Sequence, residues 1–85
     1  MEDLEHTLSG FIEREFAYDR AQPQVSAEEP LLDSGLVDSV GVLKLAAFIE
    51  EHFQIEVQDE DLVPENFSNV RAVAAFVRAK TTARA

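Results

Sequence analysis

The sequence predicts an all-α fold, a small four-helix bundle made of three main helices and a short third helix before the last, with a long loop between helices one and two. Three observations carry this. Three stretches repeat apolar residues at spacings of three and four, the period of a helix that buries one face. The segments between them hold Pro23, Pro30 and Pro64, which a helix interior does not tolerate. And 85 residues without a cysteine have no disulfide or Cys-ligated metal to staple them, so the core must come from helix packing.

The first helix is expected from Glu2 to about Ala17, where Leu4, Leu8, Phe11, Ile12 and Phe16 form the stripe. Phe11 and Phe16 read as core, Gly10 weakens the helix slightly, and His6 falls on the polar side without co-ligands or a base partner. Tyr18 to Val37 is a long connection. Leu31, Leu32, Leu36 and Val37 pin its second half to the core, and Gly35 supplies a positive φ for a turn. The second helix runs from Asp38 to Phe53, with Leu43, Ala46, Ala47 and Ile49 to Phe53 inward and Lys44, Glu50 and Glu51 toward water. An extended linker comes next, whose Ile55 and Val57 plug the core. Residues 59–67 give one or two short helical turns anchored by Leu62, Val63 and Phe67. Ser68 then caps a last helix from Asn69 to about Ala79, with Val70, Val73, Ala74 and Val77 on one face and Phe76 at its edge. The whole reads as a single domain, residues 1–85, with its core over about 3–79 and a tail from Lys80 that frays.

Charge narrows the function. All seventeen acids lie between Glu2 and Glu65, opposed there by only Arg14, Arg20 and Lys44, while Arg71, Arg78, Lys80 and Arg84 come after them without an acid. So acidic a body repels nucleic acid and favours basic protein partners. The N-terminus is acidic and lacks an apolar stretch of signal-peptide kind, and no apolar run reaches membrane-spanning length, so a soluble cytoplasmic protein is expected. No acid–base or nucleophile–base pair is visible, which argues against an enzyme. Asp59-Glu60-Asp61 begins like a calcium loop but lacks the glycine and the later glutamate, so no metal site is expected.

One stretch organises the rest, Leu32-Asp33-Ser34-Gly35-Leu36-Val37-Asp38-Ser39-Val40. It contains two Asp-Ser pairs. Asp33-Ser34 precedes a glycine and lies in the loop; Asp38-Ser39 opens a helix. Asp38 is a favoured N-cap residue, and Ser39 becomes the first helical residue, over the positive end of the helix dipole, where a phosphate is well tolerated. On the tripeptide alone, a serine at an ordinary helix start is the plainer reading.

Asp38-Ser39-Val40 before an amphipathic helix resembles the modification site of the acyl and peptidyl carrier protein family. The likeness runs from about Leu4 to Val77. It takes in the long first loop, the Leu32 to Ser39 segment, Glu50-Glu51-His52-Phe53, the Ile55 to Leu62 segment and Asn66-Phe67-Ser68-Asn69-Val70. The resemblance implies a carrier-protein bundle in which the Ser39 hydroxyl bears a 4'-phosphopantetheine arm, moved from coenzyme A by a phosphopantetheinyl transferase, with Asp38 as the helix cap beside it. The arm's thiol would hold an acyl or aminoacyl group as a thioester. An adenylating or acyl-transferring enzyme would load it, and downstream synthase or tailoring enzymes would use it. Leu36, Val40 and Ala47 would be apolar docking contacts, and Glu50, Glu51, Glu60 and Asp61 acidic ones. Phe48 and Ala46 would line any internal pocket for the cargo. A monomer without catalytic residues of its own is implied. Pro64-Glu65-Asn66-Phe67 resembles free-standing carriers of specialised metabolism, including those loaded with amino acids; Gly41 and Lys44 depart from the fatty-acid carriers and suggest dedicated partners. The alternative is a non-enzymatic acidic helical adaptor in which Ser39 only caps a helix.

Overall fold

The computed structural model describes residues 3–22 and 24–84, the last two by backbone alone. Its regular structure is helical throughout: α1 spans Leu4–Phe16, α2 spans Ser39–Phe53 and α3 spans Val70–Arg84. Between α2 and α3 the expected short third helix is two 3-10 turns, Asp59–Asp61 and Pro64–Asn66. Helix α3 is the common surface: α1, α2 and the second 3-10 turn all pack against it. No described helix is long and apolar enough to cross a membrane.

In α1 the Asp3 carboxylate accepts from the His6 amide at 3.2 Å and caps the helix. Glu2 lies outside the described residues, and Ala17 is the C-cap rather than a helical residue. Leu8 and Ile12 are wholly buried. Phe11 and Phe16 sit at the core margin, where Phe11 stacks on Phe48 of α2 at 4.1 Å and meets Phe16 edge-on at 6.2 Å. This aromatic seam joins the ends of α1 and α2.

Among its described residues the long connection has no regular element, as its composition predicts, but it is held at several points. Arg20 grips both oxygens of Glu29 at 2.7 and 3.1 Å and also donates to the Gln24 carbonyl. The Glu13 carboxylate accepts from the Val25 amide at 2.9 Å, and Val25 is buried beneath it. Arg71 at the start of α3 pairs with Glu28, and its amide donates to the Ala27 carbonyl. The guanidinium bonded to Glu29 holds that carboxyl below the usual glutamate value, and the Arg20 pKa rises in return.

Three expectations need correction. Asn69, not Ser68, caps α3: its side chain accepts from the Ala72 amide at 2.8 Å, while the Ser68 carbonyl accepts from the Leu31 amide. Both residue types suit a cap, and the tertiary bond to Leu31 sets which one turns inward. Helix α3 continues to Arg84 instead of loosening at Lys80, because Lys80 reaches Asp61 at 2.6 Å and lies 5.8 Å from the Phe76 ring centre. In α2 the buried residues are Gly41, Leu45, Ala46 and Ile49; Leu43, Ala47 and His52, expected inside, are exposed. The run from Val40 to Ile49 is apolar on more than one face, and a helix at the surface of a small bundle buries only one of them. Ile55 is buried and Val57 half-buried, as expected of plugs, after Gln54 ends α2 in the left-handed conformation.

Candidate functional site

The loop ahead of α2 is built to end on one exposed hydroxyl. Leu31 and Val37 are fully buried, and the Val37 amide donates to the Leu31 carbonyl at 3.0 Å, which closes the segment between them into a short loop. Within it the Gly35 amide donates to the Leu32 carbonyl, and Gly35 has φ +80, where an L-residue is strained. Val37 thus anchors the chain one residue before Asp38. The Asp38 side chain accepts from the Gly41 amide at 2.8 Å and its carbonyl from the Val42 amide, so the helix starts at Ser39 as the sequence predicts. Ser39 is exposed, and among the described residues its hydroxyl has no hydrogen-bond partner. The first turn of α2 contains no acid, so the amide dipoles there face the serine without a neutralising carboxylate on the turn itself.

Beside Ser39 lies an open groove of about 390 Å³. Val42 and Leu43 form one wall, Leu62, Val63 and Pro64 the other, and Leu32 and Phe67 close the base. Its lining is apolar apart from Ser39, and Leu43 and Val63 in its walls are exposed. Phe48 and Ala46 do not line it: Ala46 is buried and Phe48 is in the aromatic seam with Phe11. The sequence pattern does not reveal this groove, because its second wall comes from the 3-10 segment more than twenty positions later, and the available signal was only the apolar pair Leu62-Val63 before Pro64.

The other sequence-predicted residues fall into two groups. Val40, Ala47, Glu51 and Glu60 are exposed, while Leu36 is half-buried and packs against the core. Two acids are already engaged. The Glu50 carboxylate accepts from the Val57 amide at 2.8 Å and fixes the linker after α2. Asp61 takes the Lys80 ammonium and the Gln58 amide, which together hold its carboxyl below the usual aspartate value.

A helix start that presents a free serine above an apolar groove is the arrangement of a carrier domain, and the family model for the phosphopantetheine attachment site matches residues 12–77, so the chain belongs to that family of carrier proteins. It is 25% identical over 75 residues to the probable acyl carrier protein PigG of Serratia sp. (strain ATCC 39006), covering 88% of this chain and 85% of that protein. A chain in the crystal structure of an FAD-dependent dehydrogenase superposes with a TM-score of 0.73 at 27% identity, covering 82% of this chain and 97% of that one.

The residues present fit the family's cofactor, 4'-phosphopantetheine. The arm needs an exposed hydroxyl for its phosphodiester, and Ser39 is exposed and unbonded at a helix start whose dipole favours an anion. It needs an apolar bed for its methyl and methylene groups, and Val42, Leu43, Leu62 and Val63 supply one next to that hydroxyl. The chain has no cysteine that would compete for cargo with the arm's thiol.

Proposed function

We propose that Ser39 is the residue that carries the phosphopantetheine arm, and that the chain presents an acyl or aminoacyl group to partner enzymes of a specialised biosynthetic pathway. The observation that carries the assignment is the free Ser39 hydroxyl at the first position of α2, beside the apolar groove. When bound, the group supplies a terminal thiol to which the cargo is joined as a thioester.

The chain's own part is to position. Asp38 fixes the helix start through its bonds to the Gly41 and Val42 amides, so the serine is offered in one orientation. In the attachment step the serine Oγ forms a bond to the phosphorus that links pantetheine to the nucleotide in coenzyme A. The bond from that phosphorus to the bridging oxygen breaks, and adenosine 3',5'-bisphosphate leaves. The serine proton passes to a base of the transferring enzyme, because among the described residues no base bonds the hydroxyl. Partners would read the exposed Val40 and Ala47, the uncovered part of the half-buried Leu36, and the exposed Glu51 and Glu60; Glu50 and Asp61 would serve by holding the linker and the 3-10 segment in place. The likeness to a chain found in the crystal structure of an FAD-dependent dehydrogenase supports a flavin-dependent oxidising enzyme among those partners, beside the transferase and a loading enzyme. The likeness to PigG supports the carrier role itself.

The test is intact-protein mass after incubation with coenzyme A, magnesium and a broad-specificity phosphopantetheinyl transferase. The wild type is expected to gain one phosphopantetheine and Ser39→Ala none. A folded wild type that gains nothing, with the transferase active on another carrier, leaves an acidic helical adaptor as the better reading.

A further inference from the structure

Gly41 stands two residues after Ser39 and is buried although it lies in the first turn of α2. A glycine inside a helix weakens it relative to alanine, so its presence at this position calls for a steric reason, and the structure supplies one from three directions. A Cβ built on Gly41 would lie 2.9 Å from Cε1 of Phe16, 3.0 Å from Cγ1 of Val37 and 3.3 Å from Oδ1 of Asp38. The first atom belongs to the end of α1, the second to the buried anchor of the preceding loop, and the third to the helix cap. None yields freely. The Phe16 ring is seated edge-on against Phe11 at 6.2 Å, Val37 is buried, and the Asp38 oxygen is the one that accepts from the Gly41 amide at 2.8 Å.

We infer that Gly41 is a positioning residue for the modification of Ser39: the missing side chain lets the first turn of α2 seat against Phe16 and Val37, and that seating sets where the serine hydroxyl stands. The inference rests on the reading of Ser39 as the attachment residue. A methyl group at 41 must push the turn outward, displace Val37 or swing the cap away, and each of these moves Ser39. The exposed ridge of Val40, Leu43 and Lys44 faces away from the contact and keeps its surface. A displaced serine on an intact ridge should therefore lose rate at the transfer step more than it loses encounter with the transferase, because small misplacements of a reacting group cost rate steeply.

The experiment measures kcat and KM of arm transfer from coenzyme A to the full chain for the wild type, Gly41→Ala, Phe16→Leu and the double variant, with folding checked by circular dichroism and thermal melts. Gly41→Ala is expected to lose about tenfold or more in kcat with KM within about threefold. Removing the ring edge in the double variant should return kcat to within about threefold of Phe16→Leu alone. A folded Gly41→Ala with wild-type kcat overturns the inference, whatever its melting temperature. If Gly41→Ala does not fold alone, Ala and Val at position 41 are compared in the Phe16→Leu background. There kcat must fall from Ala to Val, which again meets Val37, and equal rates overturn the inference. A wild type that accepts no arm at all instead removes the Ser39 reading on which this one stands.

Discussion

Asp33-Ser34 and Asp38-Ser39 are the same dipeptide, five positions apart, on either side of the turn at Gly35. In the first pair the serine is consumed by its own loop. Ser34 Oγ donates to the Leu31 carbonyl and accepts from the Leu36 amide, both at 3.3 Å, and Asp33 points to solvent. In the second pair the roles are exchanged: the aspartate is consumed, by the Gly41 amide, and the serine is left free. The difference arises from the residues just C-terminal to each pair. Gly35 turns the chain back, so the nearest groups available to Ser34 are those of its own turn. After Ser39 the helix continues, and the side chain before a helix reaches the orphan amides while the side chain on its first residue points away from them. Exclusion from the local hydrogen bonding is what leaves the second hydroxyl exposed for the role proposed for it.

The contrast can be broken most severely at the serines. Ser39→Ala should abolish the mass gain of one phosphopantetheine entirely, whereas Ser34→Ala should keep it in full; any arm found on Ser34 by peptide mapping would reverse the assignment. On stability the order inverts. Ser34→Ala removes two bonds of a tight loop and should cost about 1 kcal/mol in urea denaturation, and Ser39→Ala should stay within about 0.5 kcal/mol.

The aspartates give the next effect. Asp38→Ala loses the cap and should destabilise by about 1 kcal/mol, and arm transfer should slow with it as the first turn frays. Asp33→Ala should remain within about 0.5 kcal/mol and transfer at the wild-type rate. Equal losses for the two would mean that the cap does not set the serine's position. Between the pairs, Gly35→Ala forces a methyl group into a positive φ and should cost about 1 kcal/mol, although nothing lies within 4 Å of the added Cβ. That cost is conformational, in contrast to the crowding at Gly41.

The smallest effect concerns the clasps that hold the segments on either side of the site, Arg20 with Glu29 in the long loop and Lys80 with Asp61 beside the groove. Both carboxyls titrate below their ordinary values of 4.5 and 3.8. A depressed folded pKa contributes stability that is present above the unfolded pKa and lost as the pH falls through the folded one. Stability should therefore decline below about pH 4.5, and a Glu29→Gln, Asp61→Asn variant should show a shallower decline over that range when urea midpoints are compared. Identical acid limbs for wild type and variant would remove these two pairs from the account.

The helices were legible because each writes its apolar stripe in neighbouring residues, and the helix start at Ser39 was legible because a cap is a local device of one side chain and the amides just beyond it. The long connection was legible as a connection from Pro23, Pro30 and the polar residues between them. Features written locally were readable; features that depend on distant partners were not. The choice of Asn69 over Ser68 as the cap of α3 hangs on a bond from Leu31, nearly forty positions earlier. The continuation of α3 past Ala79 hangs on Asp61, and Leu43 lies outside because the apolar surface of α2 is wider than the face the rest of the bundle covers.

The sequence by itself determined the number and order of the helices, the loop that leads to Ser39 and the identity of the serine at the helix start. Side-chain periodicity and capping act over a few residues and need no knowledge of the fold. Only the tertiary structure decided that an apolar groove stands beside that serine, that Glu50 and Asp61 are spent on internal bonds, and that position 41 has no room for a side chain. Each of these is a meeting of segments far apart in the chain, fixed when the helices pack against α3 and the space between them is filled.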